Sequence, residues 1–172
     1  RYNSVENEGY TAGKDRISMV KILFVCHGNI CRSPMAEAIF NHMVKEKGLE
    51  GEFFAASAAV SREEIGNPIY PPAQRKLREE GIPFAKRGAV QLTAEDYMIY
   101  TYIIGMDTYN IRGMRRILGE DPEGKISRLL DFTAQPRDVD DPWYTGDFDR
   151  AYEDIREGCQ ALLRLLISGG NK

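Results

Sequence analysis

Cys26, Arg32 and Ser33 crowd into one short stretch, VCHGNICRSP, running from Val25 to Pro34. A thiolate is a strong nucleophile, and a planar guanidinium can take two oxygens of a tetrahedral oxyanion at once. Together they are equipped to attack a phosphoryl group. Gly28 and Asn29 tolerate positive φ, which turns successive backbone N–H groups inward as an anion cradle. Pro34 suits a first helical turn with Ser33 as its cap. A helix N-terminus there adds unpaired N–H groups and the positive end of a dipole, which favour a bound anion and the thiolate form of Cys26. A lone cysteine at a strand end is ordinarily an inert, buried apolar residue. The neighbouring Arg and Ser turn the reading towards catalysis.

Such a loop needs a strand before it and a helix after it, and both are legible. Val20–Val25 is a near-continuous apolar run, the pattern of a strand buried on both faces of a parallel sheet. From Pro34 the apolar residues fall at helical spacing, and Gly48 offers a stop. Glu52–Ser57 reads as a second strand, Met98–Met106 as a third and Lys125–Leu130 as a fourth. Between them lie a loop through Gly66-Asn67-Pro68, a charged helix over Pro72–Glu80 ending at Gly81, and a helix near Thr108–Leu118. Asp131–Phe148 shows neither period and is expected to be an ordered loop. From Phe148 to Leu166 apolar residues recur at three- and four-residue steps, an amphipathic helix. Alternating strands and helices predict a three-layer α/β/α sandwich on a four-stranded parallel sheet. In such a sheet ligands sit beyond the carboxyl ends of the strands, where Cys26 is placed.

The whole chain sets limits. Its 172 residues suit one domain, and a net charge of −3 gives no general attraction to nucleic acid. No apolar run approaches the roughly 20 residues of a membrane span, and no secretory signal is visible. Three cysteines, Cys26, Cys31 and Cys159, cannot all pair in one chain, which suits a reducing compartment and a cytoplasmic protein. No metal-ligand spacing or cofactor motif is present. Residues 1–18 are polar and aperiodic, either a cloning remnant or a disordered leader, and the domain is taken as 19–172.

CHGNICRSPMAE resembles the signature loop of the low-molecular-weight protein tyrosine phosphatases, whose pattern is Cys, five residues, Arg and Ser near the N-terminus. Ala56-Ser57-Ala58, Ile65-Gly66-Asn67-Pro68, Gln91-Leu92-Thr93, Met106-Asp107 and Asp141-Pro142-Trp143-Tyr144 follow in the family's order. The resemblance implies the phosphotyrosine protein phosphatase I-like fold, which is Rossmann-like, and no cofactor. It implies that Cys26 takes the phosphoryl group as a phosphocysteine. Arg32 and the N–H groups of the loop His27, Gly28, Asn29, Ile30 and Cys31 would bind inorganic phosphate, other oxyanions or the phosphate of a phosphotyrosine protein. Ser33 would donate to the Cys26 sulfur, Asn29 would hold the strained turn, and Ser57 would support Asn29. One acid is needed to protonate the leaving phenolate and then activate water. Composition leaves Asp138, Asp140 and Asp141 open, and the family's acid precedes Pro, which selects Asp141. Trp143 and Tyr144 match the aromatic wall of the family's cleft; read from the residues alone, an aromatic there is either that wall or a packing anchor. His27 is either a substrate contact or an exposed side chain, and His42 reads as a surface residue.

Many family members carry a His ahead of Q-x-T in a network with the Asn and Ser; this chain has FAKRGAVQLT, with Lys86 and Arg87, so that network must be built differently. Cys31 has two readings. It either packs under the loop, or it captures an oxidised Cys26 as a disulfide, which the resemblance supports. Rival functions on this fold are arsenate reductase, which needs a further cysteine pair, and protein arginine phosphatase, whose members resemble this chain but place Thr where Ile30 stands. A non-catalytic phosphopeptide-binding module is the rival of another class. Retention of Cys26, Arg32 and Asp141 argues against it, because binding needs neither nucleophile nor acid.

Overall fold

A computed structural model describes residues 18–169, so the reading of the leader falls almost wholly outside the described residues. Four parallel strands form one sheet in the order β2-β1-β3-β4, with β1 Val20–Cys26, β2 Phe53–Ala59, β3 Tyr102–Gly105 and β4 Ile126–Arg128. The apolar run of β1 occupies an inner position, and Ile22 to Cys26 are buried because both faces are covered. On one face pack α1 Arg32–Glu46, α2 Pro71–Glu79 and the long helix α6 Phe148–Ile167. On the other, Tyr97 of the one-turn helix α3 Asp96–Ile99 and Met114 of α4 Thr108–Leu118 cover Leu23, Val25 and Ile103. The expected three-layer sandwich is the observed one.

The chain leaves β1 for β2 on one side and crosses back to β3 on the other. The carboxyl ends of β1 and β3 therefore border the point where strand order reverses, where open α/β sheets bind ligands.

Five local expectations are corrected. The second strand is Phe53–Ala59, shifted towards the site from Glu52–Ser57. The third is only Tyr102–Gly105: Met98 and Ile99 belong to α3 and point outward, 78% and 52% exposed, so an apolar run here is a surface turn. The fourth ends at Arg128, after which Leu129 and Leu130 turn into a 3-10 helix and bury themselves. There α6 comes close at Gly158, where a Cβ would stand 2.5 Å from the Leu129 Cγ. The loop 131–148 contains a one-turn helix, α5 Pro142–Thr145, capped by Asp141. Finally, α1 begins at Arg32 with Cys31 as its cap position, and Ser33 is not the cap. Its hydroxyl is engaged inside the site instead. Among the described residues no helix is long and apolar enough to cross a membrane.

Candidate active site

Residues Cys26–Arg32 curl at the end of β1 with their carbonyls held on the outside. Val60 N–H donates to the Cys26 carbonyl at 3.0 Å, Ser61 N–H to that of His27 at 3.0 Å, and Tyr70 N–H to that of Ile30 at 2.8 Å. The Arg87 guanidinium takes the Asn29 carbonyl. A trans peptide points its N–H opposite its C=O, so the N–H groups of His27, Gly28, Ile30 and Cys31 turn to the inside. Asn29 supports the turn at φ +58°, a left-handed conformation that Asn tolerates better than most residues.

The sulfur of Cys26 sits at the floor, in a residue only 3% exposed. It receives the Asn29 backbone N–H at 3.3 Å and lies 3.0 Å from Ser33 Oγ. The direction of that second bond follows from donor accounting. Asn29 Nδ2 gives its two N–H groups to Ser33 Oγ at 2.8 Å and Ser57 Oγ at 2.9 Å, and Ser57 passes its own proton to Glu37 Oε1 at 2.9 Å. Ser33 already accepts from Asn29, and its alternative acceptor, the Ala58 carbonyl, is distant at 3.5 Å. Its proton is directed to the sulfur. Two donors thus converge on the Cys26 sulfur.

Arg32 is 2% exposed. Its Nη1 donates to Asp107 Oδ2 at 2.7 Å and to the Val139 carbonyl at 2.8 Å, and its Nη2 to Asp141 Oδ2 at 3.2 Å. Burial works against its charge, but Cys26, Asp141 and Asp107 outweigh burial and raise its pKa. Three of its five N–H donors are thereby engaged, leaving two for an oxyanion beside the sulfur. Asp141 is fixed a second time, its Oδ1 accepting from Trp143 N–H at 3.0 Å as the cap of α5.

These groups meet in a cavity of about 110 Å³. Of the three acids left open by composition, only Asp141 lines it. Asp138 is drawn away to Arg128 and Thr108; burial opposes its charge, but those hydrogen bonds keep its pKa below the usual carboxylate value. Asp140 is exposed. Trp143 and Tyr144 line the mouth, 53% and 84% exposed, and Trp143 also packs on Tyr70 with ring centroids 4.9 Å apart. His27 pairs with Glu63 at 3.0 Å at the rim. His42 is half-buried rather than simply exposed, and reaches Glu46 at 3.0 Å one turn on. Cys31 lines the cavity but is buried against Ile30 and Ala89, and burial, with the nearby Cys26 and Asp141 charges, pushes its thiol pKa far up. Cys159 is wholly buried in α6. Among the described residues no three His, Cys, Asp or Glu side chains gather as a metal site.

The chain matches the family model of the low molecular weight phosphotyrosine protein phosphatases over residues 21–169. The chain belongs to the low-molecular-weight protein tyrosine phosphatase family. It is 46% identical over 147 residues to the low molecular weight protein-tyrosine-phosphatase YfkJ of Bacillus subtilis, covering 84% of this chain and 94% of that one. The crystal structure of YfkJ superposes with a TM-score of 0.87 at 44% identity, covering 91% and 99% of the two chains. A low molecular weight protein tyrosine phosphatase from Streptococcus pyogenes gives a TM-score of 0.78 at 36% identity, covering 88% and 96%. An arginine phosphatase from Drosophila gives 0.78 at 30%, covering 87% and 99%.

Sequence reasoning missed four residues of this phosphatase's site. Asp107 was noted in Met106-Asp107 without a role; its place directly after β3, at the same sheet edge as Cys26, was the available signal. Glu37 lies four residues after Ser33 on α1, hence on the same helix face. Tyr70 and Arg87 come from distant loops that no local pattern ties to Cys26. Arg87, in the segment FAKRGAVQLT that lacks a His, holds the Asn29 carbonyl. Its segment is pressed so closely on the Gly66 backbone that a Cβ at Gly88 would stand 2.7 Å from the Gly66 carbonyl oxygen. Burial lowers the pKa of Arg87, and Glu37 and Cys26 oppose that shift. Burial raises that of Glu37, and the Ser57 hydrogen bond and Arg87 oppose it. A hydrogen bond to a charged group contributes about 1.5–3 kcal/mol. Arg87→Met should therefore reduce phosphate affinity and kcat for p-nitrophenyl phosphate by about 10-fold, with partial recovery in Arg87→Lys. Unchanged inhibition by phosphate in Arg87→Met would show that the loop holds its shape without this bond.

Proposed function

We propose that the protein hydrolyses phosphotyrosine in proteins through a phosphocysteine. The Cys26 thiolate attacks phosphorus, forming the S–P bond as the P–O bond to the tyrosine ring breaks, and Asp141 delivers its proton to the departing phenolate oxygen. The Asp141 carboxylate then takes a proton from water. That water attacks the phosphocysteine, releases inorganic phosphate and returns Cys26 as the thiolate. The unengaged N–H donors of Arg32 and the inward N–H groups of the loop stabilise the charge on the three equatorial oxygens. Ser33 holds the thiolate and makes it a better leaving group. The observation that carries this reading is one small cavity lined by Cys26, Arg32 and Asp141, with two donors on the sulfur.

The Drosophila neighbour keeps protein arginine phosphatase in view as a second reading. Ile30, nearly buried, presents an apolar side chain to the cavity, which suits a phenyl ring better than a guanidinium. Phosphate release from a phosphotyrosine peptide should exceed that from a phosphoarginine peptide of the same sequence by at least about 10-fold, since one apolar contact is worth that much discrimination. Equal or faster release from phosphoarginine would assign the chain to the other branch. Arsenate reduction by a cysteine relay finds no support, because Cys159 is sealed in the core. Cys31 lines the same cavity as Cys26, and its burial opposes the thiolate that capture of an oxidised Cys26 would use.

A further inference from the structure

The cavity over Cys26 borders a second and larger one of about 810 Å³, and His27, Arg32, Asp141 and Tyr144 line both. One wall of the second is the outer face of α4, where Tyr109, Arg112 and Arg116 follow at three- and four-residue steps and all three are exposed. Beneath them α4 rests directly on the end of β2: a Cβ at Gly113 would stand 3.0 Å from the Val60 Cβ. The wall is therefore rigidly placed.

Its two arginines are unpaired among the described residues, although the groove as a whole sets Arg32, Arg112 and Arg116 against Asp107, Asp138, Asp140 and Asp141. Arg32 is shared by Asp107 and Asp141, and Arg128 by Asp131 and Asp138, so Asp107 and Asp138 in this groove are each held by an arginine. Among the described residues Arg112 and Arg116 have no carboxylate at ion-pair distance, and Arg112 only leans on Tyr109, 5.4 Å from its ring centroid. Asp140 is the exposed acid of the groove without an arginine partner. Glu63 and Glu64 line the small cavity and are absent from the large one. The phosphate site thus has one exit that presents the unpaired Arg112 and Arg116 and another that presents Glu63 and Glu64.

We propose that the groove along α4 holds the polypeptide on one side of the substrate's phosphotyrosine, and that Arg112 and Arg116 select substrates carrying Asp or Glu there. This rests on the phosphotyrosine reading above. Reach follows from geometry. Asp107 caps α4 and is bonded to Arg32, so the helix starts at the phosphate site. At a rise of 1.5 Å per residue Arg112 lies about 8 Å and Arg116 about 14 Å along the axis. An extended peptide advances about 3.3 Å per residue. The selected acids are accordingly about two to four residues from the phosphotyrosine. The Glu63 and Glu64 exit repels acids, which makes the preference one-sided.

The test is kcat/KM for phosphotyrosine peptides with acidic, neutral or lysine residues two to four positions before or after the phosphotyrosine, each divided by that of the same protein for p-nitrophenyl phosphate. Acids on one side should raise this ratio by about 3- to 10-fold, an advantage that shrinks with added salt. In Arg112→Glu/Arg116→Glu the preference should pass to lysine; if that variant is poorly folded, Arg112→Gln/Arg116→Gln should still abolish it. Equal ratios for all peptides, or an acid preference that survives in the variants, would overturn the groove assignment while turnover of p-nitrophenyl phosphate leaves the phosphatase reading intact. No turnover of any phosphate ester would overturn the reading beneath it.

Discussion

Cys26→Ser should abolish turnover, by on the order of 10⁴-fold or more, without loss of the fold or of oxyanion binding. Removing the nucleophile of a covalent mechanism removes the pathway itself, and losses of that size accompany such substitutions. The hydroxyl of serine is smaller than the thiol and far less acidic, so at neutral pH it presents no anion to phosphorus. Most of the bonds that shape the cradle do not involve the sulfur. Its carbonyls remain tied to Val60, Ser61, Tyr70 and Arg87, and Asn29 remains bonded to Ser33 and Ser57. Loss of the thiolate charge also removes its repulsion of a dianionic phosphate, so phosphate should bind the variant at least as well as the parent. Phosphate affinity by calorimetry, together with p-nitrophenyl phosphate turnover, checks both halves. Residual activity within about 100-fold of the parent would place the nucleophile elsewhere. Full turnover lost together with phosphate binding would indicate a collapsed loop and call for Cys26→Ala.

What could be read from the sequence was what is local. β1 declared itself because a strand covered on both faces has no alternation to obscure it. The phosphate loop declared itself because nucleophile, guanidinium and glycine lie in one uninterrupted stretch. Asp141 stood out from its acidic neighbours because Pro142 follows it, and the one-turn helix that Pro142 opens gives its carboxylate a backbone donor. The misreadings arose where a long-range demand overrode a local preference. Ser33 has the composition of a helix cap, yet its hydroxyl is drawn inward by Asn29 and Cys26, and the helix starts one residue before it. Met98 and Ile99 have strand-like composition, yet the Asp96 carboxylate accepts from Thr93 N–H and starts a turn of helix that faces solvent. Arg87 was beyond reach for another reason. It acts through the Asn29 carbonyl, and only the crossing of segment 87–90 over the loop brings it there, whereas Glu37 shares a helix face with Ser33.

Asp141→Asn should lower kcat for aryl phosphates by on the order of 10²–10⁴-fold, the usual size of a general acid's contribution. The substitution isolates chemistry from structure. Asparagine is as good a helix cap as aspartate, so the bond from Trp143 N–H and the one-turn helix survive. Its amide oxygen can still accept from Arg32, although one ion pair at 3.2 Å is lost. What asparagine lacks is a proton for the leaving oxygen and a base for the incoming water. The deficit must therefore scale with the leaving group: esters of weakly acidic phenols should lose most, and those of strongly acidic phenols, which depart without a proton, should lose least in the first step. A purely positional role for Asp141 would instead reduce all esters alike. Asp140→Asn provides the internal comparison, because Asp140 is exposed and makes no contact with Arg32. Its kcat should stay within about 3-fold of the parent, as for a surface charge near but outside the reacting atoms. Equal losses at the two positions, or the larger one at Asp140, would move the acid one residue towards the N-terminus and take Pro142 out of the argument.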